Sequence, residues 1–449
     1  MSKTRTRSGA RTGLLAAVVL GAGVISLVGS GGGGGDSLAE TITLSAEAVG
    51  PAQVNLSWSP HPDLVTGYFV YRDGASITDV FVAGTALSDS GVSPQTRYCY
   101  VVYAYVALYG NVGRSNNVCV DTPVAGEGWS IESIGPGDAP DLVIANEIAN
   151  VVYYNGALMH ASNAGESWQI NTVDPSAGTD PTVAADSTGA LHVAYGDASD
   201  FDLKYAINRG GEWADEVVDS QGDTGFSPAL AVDSSDTVHM SYHVWWDGPE
   251  ATFDLKYAHG AGGAWTIDTV GRVATNGGDT AIGADSQGKA HISYIAGDLE
   301  CSVVYATNTS GDWESQALGR CPLGHGYTAI VVDNSDRVHV VYHAYQSTAP
   351  TFALVYATNS SGQWVNVPID SFDWIAGDLA LALDTDGHVH ISYADHNASL
   401  KYASNSNGTW VTQFIDVDTA ANAIALGADN AVHIVYATQS GSIRYAAKN

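Results

Sequence analysis

Six histidines recur in one local setting: His192, His239, His291, His339, His390 and His433. Each follows an aspartate (Asp186, Asp233, Asp285, Asp333, Asp384, Asp429) and precedes a Tyr-Ala pair whose tyrosines are Tyr205, Tyr257, Tyr305, Tyr356, Tyr402 and Tyr445. Imidazole and carboxylate together could ligate a metal or move a proton, or they could simply satisfy one another. A residue present in every copy of a repeat answers a need that every copy has, whereas a residue serving one site breaks the pattern. The repeated histidines are therefore expected to be buried and hydrogen-bonded, to backbone or to the aspartate of their own turn. The aspartates should open turns through side-chain-to-backbone bonds. No metal and no cofactor is expected; Asp384-Thr385-Asp386-Gly387 begins like a calcium loop but lacks the downstream glutamate.

The residues that break the pattern are His243, Trp245, Trp246, Asp247, Arg272, Arg320, His325, His343, Tyr345, Trp374, Asp395 and His396. They are expected in irregular loops joining second to third and fourth to first strands of the repeated unit. Exposed tryptophans beside carboxylates suit stacking on sugar faces, with hydrogen bonds to hydroxyls.

The element that must position them is the repeat. Successive aspartates lie 47, 52, 48, 51 and 45 residues apart, and each interval holds four short strand patterns. That is the signature of a β-propeller blade. A fourth-strand tryptophan recurs at Trp168, Trp213, Trp265, Trp313, Trp364 and Trp410, and Trp129 stands alone upstream, where its strand could complete the last unit. A degenerate first unit, Leu142 to Ala161, lacks the Asp and His but keeps Tyr153 and a His160-Ala161 echo of Tyr-Ala. The expected fold is all-β, with a seven-bladed propeller over 127–449; six blades is the alternative. In this register Cys301 begins a third strand and Cys321 follows the fourth strand of the same blade, so the two should bridge.

The turn Thr307-Asn308-Thr309-Ser310-Gly311-Asp312-Trp313, with related versions before Trp364 and Trp168, resembles the Asp-box turn of sialidase-like (BNR-repeat) propellers, with Asn, Ser or Ala at the defining aspartate. The resemblance implies a sialidase-like fold. It does not extend to sialidase chemistry, which needs an arginine triad where only Arg272 and Arg320 are in place. The stretch Gly387 to Asn397 resembles propeller polysaccharide lyases of the BNR type. That resemblance implies His396 as a base and Arg320 as the neutraliser of a uronate.

Residues 41–123 resemble a fibronectin type III β-sandwich, with Trp58 as its core tryptophan and Tyr98 at its tyrosine corner. The resemblance puts Cys99 and Cys119 on neighbouring strands, where a bridge would contribute a few kcal/mol. Upstream, Lys3, Arg5, Arg7 and Arg11 precede an apolar run from Leu14 to Val28, then Gly29 and Ser30. Residues 1–30 read as a secretory signal, with an uncleaved anchor helix as the alternative, and 31–40 as a Gly-rich linker. Ser30 stands where a lipoprotein box would carry cysteine, so no lipid is expected and no stable membrane span remains after cleavage.

With 48 acidic against 17 basic side chains, the net charge is -31. No basic face can be assembled for nucleic acid. An even cysteine count in an exported chain points to disulfides. The expectation is a secreted or envelope-associated monomer that binds a glycan or surface polymer without catalysis. The alternatives are a carbohydrate-active enzyme, lyase or hydrolase, and a structural envelope scaffold.

Overall fold

The computed structural model describes residues 38–448, apart from 51–52, 79, 90, 94, 108, 123–127, 166, 176–177, 247–251, 274–278, 298–300, 323–325, 348–351, 373–376 and 396. The expected signal and most of the linker lie outside the described residues, which contain strands and turns but no helix.

Residues 40–121 form a two-sheet sandwich. Gln53–Trp58 pairs with Leu44–Gly50 and with Ala86–Asp89; the facing sheet holds Gly67–Arg72, Arg97–Val106, Gly110–Ser115 and Val118–Asp121. In the long strand Tyr100, Val102 and Ala104 are buried at every second position, as a sheet with one apolar face requires. They meet Val54, Leu56 and Trp58 from the other sheet in one cluster. The Trp58 ring stands edge-on to Tyr68 at 5.6 Å. The Tyr98 hydroxyl accepts a hydrogen bond from the Ser93 amide, 2.8 Å away. Cys99 and Cys119 are directly opposed and bridged.

Beyond the sandwich the described residues form seven four-stranded antiparallel sheets. Sheets 1 to 6 are sequential meanders over 138–174, 179–219, 223–272, 280–320, 328–372 and 379–416. Sheet 7 takes three strands from 419–448 and its fourth from far upstream: Trp129–Pro136 pairs with Ser442–Lys448. The first strands of consecutive sheets touch, and that of sheet 7 touches that of sheet 1, so the sheets close into a propeller-like ring.

Each junction between neighbouring sheets holds its own apolar cluster. Val303, Tyr305, Val338 and Val340 fill one between sheets 4 and 5, and Val151, Tyr153, Val435 and Tyr445 fill the one that closes the ring. Both faces of the second strands are therefore covered, which explains why Leu191–Gly196 and Val389–Ala394 are buried at every position instead of alternating. The core is distributed around the ring, not gathered at its centre.

Candidate functional site

In sheets 2 to 7, at the end where the first strand turns into the second, the repeated residues form one hydrogen-bonded unit. His Nδ1 lies 2.5 to 2.7 Å from the hydroxyl of the third-strand tyrosine in all six copies. In five of them Nε2 lies 3.1 to 3.4 Å from the aspartate that opens the turn. A carboxylate only accepts, so Nε2 carries the proton and the phenol donates to Nδ1. The second carboxylate oxygen caps the turn; Asp233 Oδ1 accepts from the Ser235 and Thr237 amides. Burial lowers the pKa of His239, His291, His339 and His390 despite the neighbouring aspartates, which keeps these rings neutral. Both nitrogens are engaged, which leaves no lone pair for a metal. The tyrosine partner is what the sequence reading missed, although the Tyr-Ala repeat was its signal.

Sheet 7 requires a correction. Gly427 occupies the turn-opening position, its N–H bonded to the Ala431 carbonyl as that of Asp233 is to Thr237. Asp429 therefore does not belong to the aspartate series; it sits two residues further on and caps the amide of Ala431.

The tryptophans link neighbouring sheets. Trp265 stands edge-on to Tyr205 of the preceding sheet at 5.1 Å and donates its indole N–H to Glu216. The same contact is made by Trp313 on Tyr257, Trp364 on Tyr305 and Trp410 on Tyr356. Trp129 on Tyr402 and Trp168 on Tyr445 carry it through the closing sheet. In sheet 1 the unit is replaced: Ala145, Asn150 and His160 stand where sheet 2 has Asp186, His192 and Tyr205. His160 Nε2 contacts Asn150 Oδ1 at 3.0 Å, and Trp213 packs on His160 instead of a tyrosine.

The opposite end, where the longer connections lie, is held by charge. The last aspartate of a fourth strand accepts from a tyrosine and a cation of the next sheet. Asp174 takes Tyr195 and Lys204; Asp219 takes Tyr242 and Lys256; Asp370 takes Tyr393 and Lys401; Asp416 takes Tyr436 and Arg444. Burial raises the pKa of the Tyr195, Tyr242 and Tyr393 phenols, and the adjacent carboxylates add to it. Three junctions lack this clasp: the one that closes the ring, where Gly135 and Met159 stand at the aspartate and lysine positions, and two neighbouring ones. In those two, Gly271 and Gly319 replace the aspartate, and Val304 and Val355 replace the lysine. A Cβ at Gly319 would lie 2.6 Å from the Tyr342 hydroxyl, so the tyrosine tip fills the place of the missing carboxylate. The next residues are Arg272 and Arg320, both exposed. The sheet between these junctions carries the Cys301–Cys321 bridge. The signal for this was Leu-Lys-Tyr-Ala at 203–206, 255–258 and 400–403 against Val-Val-Tyr-Ala and Leu-Val-Tyr-Ala at 303–306 and 354–357.

The structure places the other pattern-breaking residues unevenly. Asp247, His325, Trp374 and His396 lie outside the described residues. His243, Trp245, Trp246, His343 and Tyr345 were expected in loops but are in strands, because the second and third strands of sheets 3 and 5 stay paired as far as Trp246–Thr252 and Tyr345–Phe352. His243 and His343 are fully buried, and neither ring of the pair has a hydrogen-bond partner among the described residues. Burial pulls their pKa values down to about 4 and about 3. Asp395 is buried as well, capping the amides of Asn397 and Ser399 and pairing with Lys401 at 3.2 Å. The exposed members that come together are Arg320 and Tyr345: the guanidinium lies 5.4 Å from the centre of the tyrosine ring, and Phe352 packs edge-on to that ring. Trp245 is half-buried and stacks on Phe253.

Along the ring axis Asp141, Asp180, Asp279, Asp378 and Tyr327 line a cavity of about 460 Å³. Depth in the molecule raises the pKa of Asp279 to about 7 and that of Asp378 well above the carboxylate range, the charge of Asp279 adding to the second. No cluster of His, Cys, Asp or Glu among the described residues has metal-ligating geometry.

No family model and no curated protein matches the chain. Solved structures do. The lectin BP39L of Burkholderia pseudomallei is 14% identical over 69% of this chain and 95% of its own, with a TM-score of 0.50. AofleA of Arthrobotrys oligospora is 14% identical, covering 64% and 90%, with a TM-score of 0.46. A PL25 ulvan lyase is 13% identical, covering 70% and 95%, with a TM-score of 0.47. At such identities the likeness is one of fold.

Proposed function

We propose that the chain is an exported, non-catalytic carbohydrate-binding protein: a fibronectin type III module followed by a seven-bladed propeller, whose long-loop end recognises a glycan or cell-surface polymer. The observation that carries this reading is the unclasped sector at that end. At four other junctions an aspartate consumes the local cation; here the aspartate is gone, and Arg320 stands free of that partner beside the Tyr345 ring, with Arg272 exposed at the neighbouring junction. Tyr345 keeps 41% of its surface exposed, and a ring flanked by a guanidinium can stack on a pyranose while the cation donates to its hydroxyls. The disulfide-tied sheet beneath holds the strand ends in place, which limits the ordering cost of binding. The shared fold with a lectin is consistent with this reading and does not name the sugar.

A glycan array with the full chain tests it. Binding to one glycan class should fall at least tenfold in Tyr345→Ala and Arg320→Ala, with no change in melting temperature. Appearance of new reducing ends or unsaturated products from any bound polymer would instead make the protein an enzyme.

A further inference from the structure

At the opposite end of the ring, the junction of sheets 1 and 2 departs from the other six. Elsewhere a tyrosine and a histidine fill the space beneath the tryptophan. Here Ala145, Asn150 and His160 occupy those positions, each smaller than its counterpart, and a cavity of about 600 Å³ opens alongside them and Trp213. That volume is in the range of small-molecule sites, roughly 300–1,000 Å³.

The lining has a definite chemistry. Asn150 Nδ2 donates to the Ile148 carbonyl, so its oxygen accepts from His160 Nε2, and His160 Nδ1 is left as an acceptor. Burial lowers the pKa of His160 to about 4, so the ring is neutral at ordinary pH. The indole N–H of Trp265 reaches Glu216, but the equivalent residue opposite Trp213 is Asn171, and no such bond forms. Among the described residues neither the Asn171 nor the Asn146 side chain makes a hydrogen bond, and both are exposed at the cavity. No lysine or arginine lines it; its one charged group is the exposed carboxylate of Glu212.

From these features we infer that this cleft is a binding site for one neutral sugar residue, with Trp213 as its apolar wall and the asparagine amides and His160 as hydrogen-bond partners of the hydroxyls. Amides offer donors and acceptors together, which suits a polyol. The absence of a lining cation and the presence of Glu212 disfavour phosphate, sulfate or uronate. The site lies at the other end of the sheets from Arg320 and Tyr345 and shares with the reading above only the class of ligand.

The test is a panel of neutral hexoses, 6-deoxyhexoses and N-acetylhexosamines, with glucuronate alongside, titrated onto the full chain by calorimetry and saturation-transfer NMR. At least one neutral sugar should bind, and Ala145→Asp/Asn150→His/His160→Tyr, which rebuilds the repeated unit in the cavity, should weaken it at least tenfold without lowering the melting temperature. Asn171→Ala, which touches no core contact, should weaken it severalfold and guards against misfolding of the triple variant. Tyr345→Ala should leave this binding intact. Failure of the wild type to bind any neutral sugar, tighter binding of glucuronate, or unchanged affinity in the rebuilt variant would overturn the inference. Loss in Tyr345→Ala alone would overturn it too, while leaving the loop-end reading standing.

Discussion

The junctions after Asp174, Asp219, Asp370 and Asp416 close with a carboxylate, phenol and cation, buried at the first two and partly exposed at the last two, whereas those at Gly271 and Gly319 close with a tyrosine packed over glycine. Both kinds hold the same ring together with the same apolar layer beneath. The ion clusters therefore are not needed for closure as such; a coordinated exchange of aspartate for glycine and lysine for valine does as well. What the exchange alters is the surface. Cations spent inside the clasped junctions are outside, as Arg272 and Arg320, at these two.

This contrast can be broken deliberately. The largest effect is expected from Asp219→Ala, which takes the carboxylate from Tyr242 and Lys256 and should cost about 3 kcal/mol or more in urea unfolding. Asp219→Gly with Lys256→Val, which copies the neighbouring junctions, should recover most of that loss. If it does not, the two kinds of junction are not interchangeable. Next in size is Tyr257→Phe at the neutral end of a sheet: it removes the donor to His239 Nδ1 and should cost about 1–3 kcal/mol, the penalty of an unsatisfied buried acceptor.

The axial carboxylates give a smaller, pH-dependent effect. Asp279 has its folded-state pKa raised to about 7 from 3.8. Between those values the native state binds the extra proton, so its contribution is full below about pH 4 and is lost as pH rises through about 7. Asp233, Asp333 and Asp384, held low by backbone and His hydrogen bonds that outweigh burial, act in the opposite sense and lose their contribution only in acid. Melting temperature should therefore peak at mildly acidic pH, and Asp279→Asn should raise it at pH 8 but not at pH 4. Smallest of all is Arg320→Ala, expected to shift stability by under about 0.5 kcal/mol; a larger loss would make Arg320 structural instead of available to a ligand.

Much of the ring could be read from spacing. The period of the Asp, His and Tyr-Ala signals marks the sheets, and the unmatched Trp129 anticipates the strand that completes the last one. The Cys301–Cys321 bridge followed from strand order, and the Cys99–Cys119 bridge from the resemblance to a fibronectin type III sandwich. What spacing could not show was depth. His243 and His343 look like loop residues because they fall beyond the repeat, yet their strands run on and carry them inside. The His–Tyr bond and the Asp–Tyr–Lys clasps join residues on different strands or different sheets, so no local pattern displays them. Asp429 misled for the converse reason, since an aspartate close to the right place is chemically adequate for a turn without occupying its opening position. The substituted junction of sheet 1 was visible as a missing Asp and His, but only as degeneracy; the cavity appears once the register sets Ala145, Asn150 and His160 beside Trp213.

The pairing of Trp129–Pro136 with Ser442–Lys448 also governs the order of events during folding. Sheets 1 to 6 are each complete from local hairpins as soon as their own residues exist, whereas sheet 7 brings together segments about 300 residues apart and must bear the entropy of closing that loop. During synthesis the ring is an open arc with two bare edges until its final strand arrives. The interval before that strand pairs is thus the one in which this molecule is most exposed to pairing with another copy of itself.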